Sequence, residues 1–210
     1  MPKRSQHRQG QEGGPGMEAT RQRIIEAAHR VFAEKGYARA TTRAIAALAG
    51  VNEVTIFRHF GSKKNLVMAS VERYSALPGL EEMVAGRLTG DYRRDLFELG
   101  LHFLRMLNEH QRSIRRMLCE SDDLPELRAV MAEIPRRLRA ILARYLHRRM
   151  EEGAVKQADP EMAAQAFLGM IFSYSLNLAL LSPEERARMP APEAAVAAFV
   201  EIFAAGTAVQ

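Results

Sequence analysis

The sequence contains few of the residues that disulfide frameworks and zinc sites require. Its 210 residues include one cysteine, Cys119, no tryptophan, and only 7% aromatic residues. A single cysteine can form neither an intrachain disulfide nor a cysteine-based zinc site. A reducing compartment suits such a chain, so we expect a cytoplasmic protein. We interpret Cys119 itself as a small apolar residue of the core.

Catalytic and metal-binding patterns are also missing. No glycine-rich phosphate loop is present, and the histidines beyond the N-terminal region lack the spacing of metal ligands: they are His29, His59, His102, His110 and His147. We therefore expect no metal, no cofactor and no catalytic site.

One long apolar run occurs, at residues 163–181, but Gln165, Ser173, Ser175 and Asn177 interrupt it. A membrane-spanning helix needs about 20 apolar residues. We interpret the run as a helix that is buried by its own domain and by a partner subunit, and we expect no contact with a membrane.

Charge and composition separate the first third of the chain from the rest. Residues 1–70 contain twelve Lys or Arg and five Asp or Glu, whereas the remainder contains eighteen and twenty. A basic N-terminal part is typical of a nucleic-acid-binding domain. Residues 1–17 are polar and glycine-rich, lack the apolar core of a signal peptide, and are expected to form a disordered arm.

Residues 41–66 carry the pattern of two short helices joined by a tight turn. Gly50 can adopt the left-handed conformation that closes the first helix, and Asn52 can cap the second, residues 52–60. Ile56 and Phe60 stand four residues apart and share the inward face. The apolar side of the first helix is predicted to comprise Ile45, Ala46, Leu48 and Ala49.

The outward side of the second helix follows from the same period of 100° per residue. Val54 and Arg58 lie almost opposite Ile56. Thr55 and Phe57 flank them, and Glu53 and His59 lie nearer the buried edge. A helix of this length can be held in a DNA major groove only by a supporting helix behind it, so the pattern predicts a helix-turn-helix.

These residues resemble the TetR family of one-component transcription regulators, in which a string like ALAGV precedes the recognition helix, an aromatic pair and a Ser-Lys start of the fourth helix. The match covers residues 20–70. It comprises Arg21, Ile24, Ile25, Ala27, Ala28, Phe32, Gly36, Tyr37, Ile45, Ala46, Ala49, Gly50, Val51, Thr55, Ile56, Phe57, Phe60, Ser62, Lys63 and Leu66.

The resemblance implies a set of DNA contacts and a quaternary structure. The family most often has tyrosine where this chain has Phe57, which can pack against a sugar or a thymine methyl but cannot donate a hydrogen bond. A homodimer through the last two helices would bind a palindromic operator on double-stranded DNA. The implied DNA contacts are Thr42, Arg43, Asn52, Val54, Thr55, Phe57, Arg58, His59 and Lys63.

The composition favours helices and predicts an all-α fold. The resemblance implies two domains, a helix-turn-helix DNA-binding domain at 18–76 and a helical effector-binding and dimerisation domain at 77–210. Residues 77–90 are expected to be an irregular hinge, and residues 182–192 a loop. The helices are predicted from 18 or 20 to 35 and at 62–76, 91–109, 113–119, 124–152 with an interruption at Pro135, 160–181 and 193–205.

The second domain offers apolar residues with a few polar ones, the composition of a pocket for a small hydrophobic or aromatic effector. Each of these residues can equally belong to an ordinary core. The candidates are His102, Phe103, Met106, Met117, Tyr145, Phe167, Met170, Tyr174 and Asn177.

The sequence therefore predicts a sequence-specific DNA-binding transcription regulator, a ligand-responsive repressor that binds its operator as a dimer. Two alternatives remain. One is a helical ligand-binding or interaction protein with a vestigial helix-turn-helix, and the other, less favoured, is an enzyme.

Overall fold

The computed structural model describes residues 15–208, and all regular elements of this part are helices. An isolated antiparallel bridge joins Val155 to Ala208. The prediction of an all-α fold is confirmed. The helices are α1 (Pro15–Arg39), α2 (Thr42–Ala49), α3 (Glu53–Phe60), α4 (Lys63–Tyr74), α5 (Leu77–Gly86), α6 (Tyr92–Glu109), α7 (Gln111–Ser121), α8 (Pro125–Glu151), α9 (Pro160–Leu178), α10 (Pro183–Ala187) and α11 (Pro192–Thr207).

Helix α1 supports the helix-turn-helix with one apolar stripe, whose members are buried: Ile24, Ala27, Ala28, Val31 and Phe32. Its regular geometry is interrupted at Gly36, where φ is 77° and ψ is 168°. The helix begins at Pro15, earlier than predicted, so residues 15–17 belong to α1 and not to the arm. The rest of the predicted arm, residues 1–14, lies outside the described residues.

The buried residues form two clusters that do not divide the chain at residue 76. The N-terminal cluster is built on α1–α4 but also contains Met117 of α7 together with Leu127 and Val130 of α8. The second cluster joins α5, α6, α8, α9 and α11. Helices α7 and α8 therefore complete the core beneath the helix-turn-helix.

The expectation of an irregular segment at 77–90 is wrong for most of its length, because residues 77–86 form α5. Pro78 lies in the first turn, where the missing backbone N–H would have had no partner inside the helix. The side chains of Leu77 and Leu80 are buried and attach the helix to the core.

The interruption predicted at Pro135 is also wrong, because α8 continues through it from Pro125 to Glu151. Proline inside a helix costs roughly 3 kcal/mol. Burial of the neighbouring Ile134 and Leu138, on a long apolar face, offsets that cost. The predicted loop 182–192 likewise contains a short helix, α10, which starts with a capping box at Ser182.

Helix α9 ends at Leu178, three residues before its predicted end. Its inward face contains the buried Phe167 and Ile171. Among residues 15–208, no helix combines the length and the apolar character that crossing a bilayer would require.

Candidate nucleic-acid interface and ligand cavity

Local capping fixes the turn between α2 and α3. Thr41 caps α2, and its side chain accepts a hydrogen bond from the Ala44 backbone N–H at 3.1 Å. Gly50 ends α2 in the left-handed conformation with φ of 66°. Asn52 opens α3, and its side-chain oxygen accepts hydrogen bonds from both the backbone N–H and the hydroxyl of Thr55, each at 2.8 Å. The predicted helix-turn-helix geometry is therefore present.

The inward faces of α2 and α3 agree with the prediction at all positions but one. Ile45, Ala46, Ala49, Ile56 and Phe60 are buried. In contrast, 51% of Leu48 is exposed, so its predicted inward orientation is wrong. The buried positions of α2 are spaced by one and three residues, and Leu48 falls on the neighbouring, outward flank of that short helix.

The outward face of α3 is an exposed edge of mixed apolar and basic character. Val54, Phe57 and Arg58 are spaced by three and four residues and share this face. Val54 is 75% exposed and Phe57 46% exposed. The Arg58 side chain is exposed and makes no ion pair with any described residue. We call these three residues the outward edge.

The other predicted DNA contacts differ in exposure and in whether their side chains already form hydrogen bonds within the protein. Arg43 is exposed, whereas the Thr42 hydroxyl donates a hydrogen bond to the Glu53 carboxylate. Asn52 and Thr55 are bonded to each other at the start of α3. His59 is half-buried, and its Nε2 atom has no hydrogen-bond partner among the described residues.

Two lysines stand in the first turn of α4, behind the cap Ser62. The Lys63 ammonium donates a hydrogen bond to the Tyr37 carbonyl oxygen and lies 4.2 Å from the centre of the Tyr37 ring. Burial lowers the pKa of Lys63, an effect that Glu126 and Glu120 oppose. An ammonium has three donors, so two remain available for a phosphate. Lys64 is exposed and was not among the predicted contacts.

Helices α7 and α8 form hydrogen bonds with the C-terminal end of α1. Arg116 donates hydrogen bonds to the carbonyl oxygens of Ala33 at 2.8 Å and Glu34 at 2.7 Å. Glu120 accepts a hydrogen bond from the Ala38 backbone N–H at 3.1 Å. We call these three hydrogen bonds, together with the one between Tyr37 and Glu126 described next, the α1 clamp.

The last member of the α1 clamp is the Tyr37 hydroxyl, which donates to Glu126 at 2.7 Å. Burial and the Glu126 carboxylate raise the pKa of Tyr37. Since Tyr37 also binds Lys63, a continuous set of polar contacts runs from α8 to the start of α4.

An apolar cavity of about 330 Å³ lies between the helix-turn-helix support and the C-terminal helices. Its walls come from α1, α4, α6, α7, α8 and α9. Three of the predicted ligand residues, Phe103, Met106 and Met117, line it.

The other six predicted ligand residues do not line this cavity. His102 approaches the Ala76 carbonyl oxygen at 3.3 Å, Tyr145 donates to the buried Asp95 at 3.1 Å, and the Tyr174 hydroxyl bonds to the Pro190 carbonyl. Apolar periodicity could not separate these positions from the cavity wall, because both are inward faces of the same helices. The remaining three are Phe167, buried against Phe203, Met170, packed on the second cluster, and Asn177, which is exposed.

Sequence reasoning missed one end of the cavity, which is formed by His29, Tyr74 and His110. A signal for His29 existed, since it stands four residues after Ile25 and three before Phe32, on the apolar stripe of α1.

The interpretation of Cys119 as a core residue is wrong, because its side chain is exposed. Helix α7 turns Met117 inward, and a residue two positions later lies about 200° around the helix. Arg112, Arg115 and Arg116 surround Cys119 on the surface.

The geometry defines a helix-turn-helix protein with an exposed outward edge on α3 and a cavity beside the helices that support it. Two family models match the chain: the model for bacterial regulatory proteins of the tetR family over residues 24–69, and that for the C-terminal domain of AefR-like transcriptional repressors over residues 94–206. The chain belongs to the TetR family and is a DNA-binding transcriptional repressor. The alternative of a vestigial helix-turn-helix is not favoured.

Relatives agree in both sequence and fold. The HTH-type transcriptional regulator YvkB of Bacillus subtilis is 30% identical over 77% of this chain and 84% of its own length. The repressor AcnR of Corynebacterium glutamicum is 36% identical over 42% of this chain and half of its own length. SmeT, the repressor of the Stenotrophomonas maltophilia efflux pump SmeDEF, superposes as its triclosan complex with a TM-score of 0.70 at 26% identity, covering 91% of this chain and 93% of SmeT.

Proposed function

We propose that this repressor acts in the cytoplasm as a ligand-responsive homodimer on a palindromic operator. Two copies of α3 would enter successive major grooves about 34–36 Å apart. The outward edge reads the operator, while Arg43, Lys63 and Lys64 bind phosphates. Asn52 and Thr55 fix the start of α3, and we expect their remaining hydrogen-bonding groups, with those of Thr42 and His59, to contribute to DNA contacts.

The observation that carries this proposal is the exposure of Val54 and Phe57. Two large apolar residues exposed on one helix face form a small apolar patch that a partner can cover. Thymine methyl groups and sugars in a major groove provide apolar surface, and Arg58 beside them matches either a phosphate or a guanine edge.

Selection of bound duplexes from a random pool tests the proposal. We expect an enriched inverted repeat with two identical half-sites, because a two-fold dimer presents two identical edges. A matched control is the double variant Val54→Ala with Arg58→Ala, which retains the buried Ile56 and Phe60. A pool that remains random after several rounds would contradict the proposal.

Dimerisation through α9 and α11 is supported by unpartnered apolar residues on both helices. On α9 and just after it, exposed residues recur at intervals of three, four or seven positions, at Met162, Ala166, Ser173, Leu176 and Leu180. On α11, Ile202 is 65% exposed among small exposed alanines. Small residues allow close approach of helices, so the two pairs of helices can pack as a four-helix interface.

Effector control is supported by the position of the cavity. The cavity is lined by α1 and α4, which carry the helix-turn-helix, and by α6–α9. A ligand that fits only one arrangement of these helices would shift the spacing of the two recognition helices. The triclosan complex of SmeT is consistent with a small aromatic effector. Titration of a bound operator duplex with candidate effectors, with release as the expected result, tests this step.

A further inference from the structure

The ligand cavity has a mostly apolar wall, which also contains Ser70, Ser75, Ser113 and Gln165, and one end of it carries three ring side chains with polar atoms. There the rings of His29 and Tyr74 are stacked at a centroid distance of 3.8 Å, and His110 meets His29 edge-on at 5.3 Å. Within the described part of the chain, no hydrogen bond occupies the ring nitrogens of these histidines or the Tyr74 hydroxyl. A ligand that supplies a hydrogen-bond partner at this end therefore gains affinity.

The charge of the ligand is restricted by what the wall lacks. Among the described residues that line the cavity there is no lysine, arginine, aspartate or glutamate. Burial and the neighbouring His110 lower the pKa of His29, so the imidazole is neutral near pH 7. Enclosing a carboxylate or an ammonium without an opposite charge is far more costly than enclosing a hydroxyl that finds a partner.

The size of the ligand follows from the volume of the cavity. An apolar protein cavity of about 150 Å³ holds one benzene ring. The volume of about 330 Å³ found here is roughly twice as large and suits two rings. Phe103 of α6 and Phe172 of α9 line the cavity and provide aromatic surfaces against which such rings can pack.

We propose that the cavity binds an uncharged two-ring aromatic molecule with a hydroxyl group, and that His29, His110 and Tyr74 bind that hydroxyl. The inference rests on the proposed function, since it names the effector class for the same cavity. It also places recognition at the junction of α1, α4 and the α6–α7 corner, where His29 and Tyr74 join the two helices that support α3.

Calorimetric titration of the full-length protein without DNA tests the inference with four matched probes: 2-naphthol, naphthalene, 2-naphthoate and 2-naphthylmethylammonium. We expect 2-naphthol to bind up to about tenfold more tightly than naphthalene, the value of one hydrogen bond, and at least about tenfold more tightly than either charged probe. Equal or tighter binding of a charged probe, or no binding of 2-naphthol at about 1 mM, would overturn the inference.

Replacing the two histidines tests whether they bind the hydroxyl of the ligand. His29→Phe with His110→Phe keeps two aromatic rings but removes their nitrogens, and should reduce the preference for 2-naphthol over naphthalene to about twofold or less. His147→Phe, an exposed position on α8 outside the cavity, is the control and should retain the full preference. A preference that survives when Tyr74→Phe is added to the double variant assigns the hydroxyl elsewhere and overturns the proposal. The probe series on the unaltered protein decides the ligand class even if the double variant does not fold.

Duplex selection with the same protein preparation distinguishes a failure of this inference from a failure of the proposed function. Selective DNA binding without a preference for 2-naphthol overturns only this inference. Preference for 2-naphthol without selective DNA binding supports the ligand class and overturns the proposed operator recognition.

Discussion

Replacing Arg58 by alanine should weaken operator binding and reduce its dependence on salt. The side chain is exposed and has no ion-pair partner among the described residues, so its charge is available to DNA. Each phosphate contact contributes about 0.9 to the slope of log affinity against log salt concentration. A two-fold complex contains Arg58 twice, so the slope should fall by about 1.8 if Arg58 contacts a phosphate; if it contacts a guanine edge, affinity falls at that base pair with a smaller change of slope.

Fluorescence anisotropy with a labelled duplex from the selection, measured between about 50 and about 200 mM salt, gives this slope. Arg188→Ala removes an equal charge at an exposed position after α10 and should leave the slope unchanged. The free energy of unfolding should change by less than about 0.5 kcal/mol in both variants, because neither side chain packs in a core. A slope and an affinity for Arg58→Ala that match the unaltered protein would refute its assignment to the DNA surface.

Three further changes test other parts of the structure. Gly36→Ala should lower the free energy of unfolding by about 1–3 kcal/mol, because φ there is positive and the new Cβ would lie 1.9 Å from Glu120 Oε1. Gly86→Ala is the control, since a Cβ there has no atom within 4 Å. Equal melting temperatures of the two variants would contradict this prediction. Ile202→Glu should convert dimers to monomers in light scattering, whereas Met17→Glu, also exposed, should not; dimers in both would exclude the α9–α11 interface. Folding lowers the pKa of His29 below 6.5, so protonation favours the unfolded state and stability is lost as the pH falls below 6.5. The melting temperature should therefore drop more between about pH 7.5 and about pH 5.5 in the unaltered protein than in His29→Phe, and equal drops would show that burial of His29 does not contribute.

Local rules were sufficient for the helix-turn-helix. Gly50 and Asn52 fix the two ends of a turn that needs only a positive φ and a capping oxygen, and both are evident from residue type. The spacing of Ile56 and Phe60 determined which side of α3 faces the core, and hence the orientation of Val54 and Arg58. These inferences depend on contacts within a few residues, which the sequence specifies directly.

Features that depend on contacts between distant helices were not predicted. The sequence gives no sign that α8 would continue through Pro135, since the burial that offsets the lost hydrogen bond comes from packing against other helices. The α1 clamp joins residues about 80 to 90 positions apart, such as Tyr37 and Glu126, and single-helix periodicity cannot detect such pairs. The same limit explains why six of the nine predicted ligand residues lie outside the cavity.

The central claim is that the outward edge of α3 reads DNA sequence. Duplex selection with the unaltered protein and with the double variant Val54→Ala and Arg58→Ala tests it most directly. If the claim is correct, the unaltered protein enriches an inverted repeat, and the double variant still binds duplex DNA but enriches no base preference. Recovery of the same motif with the same affinity by both proteins would contradict the claim.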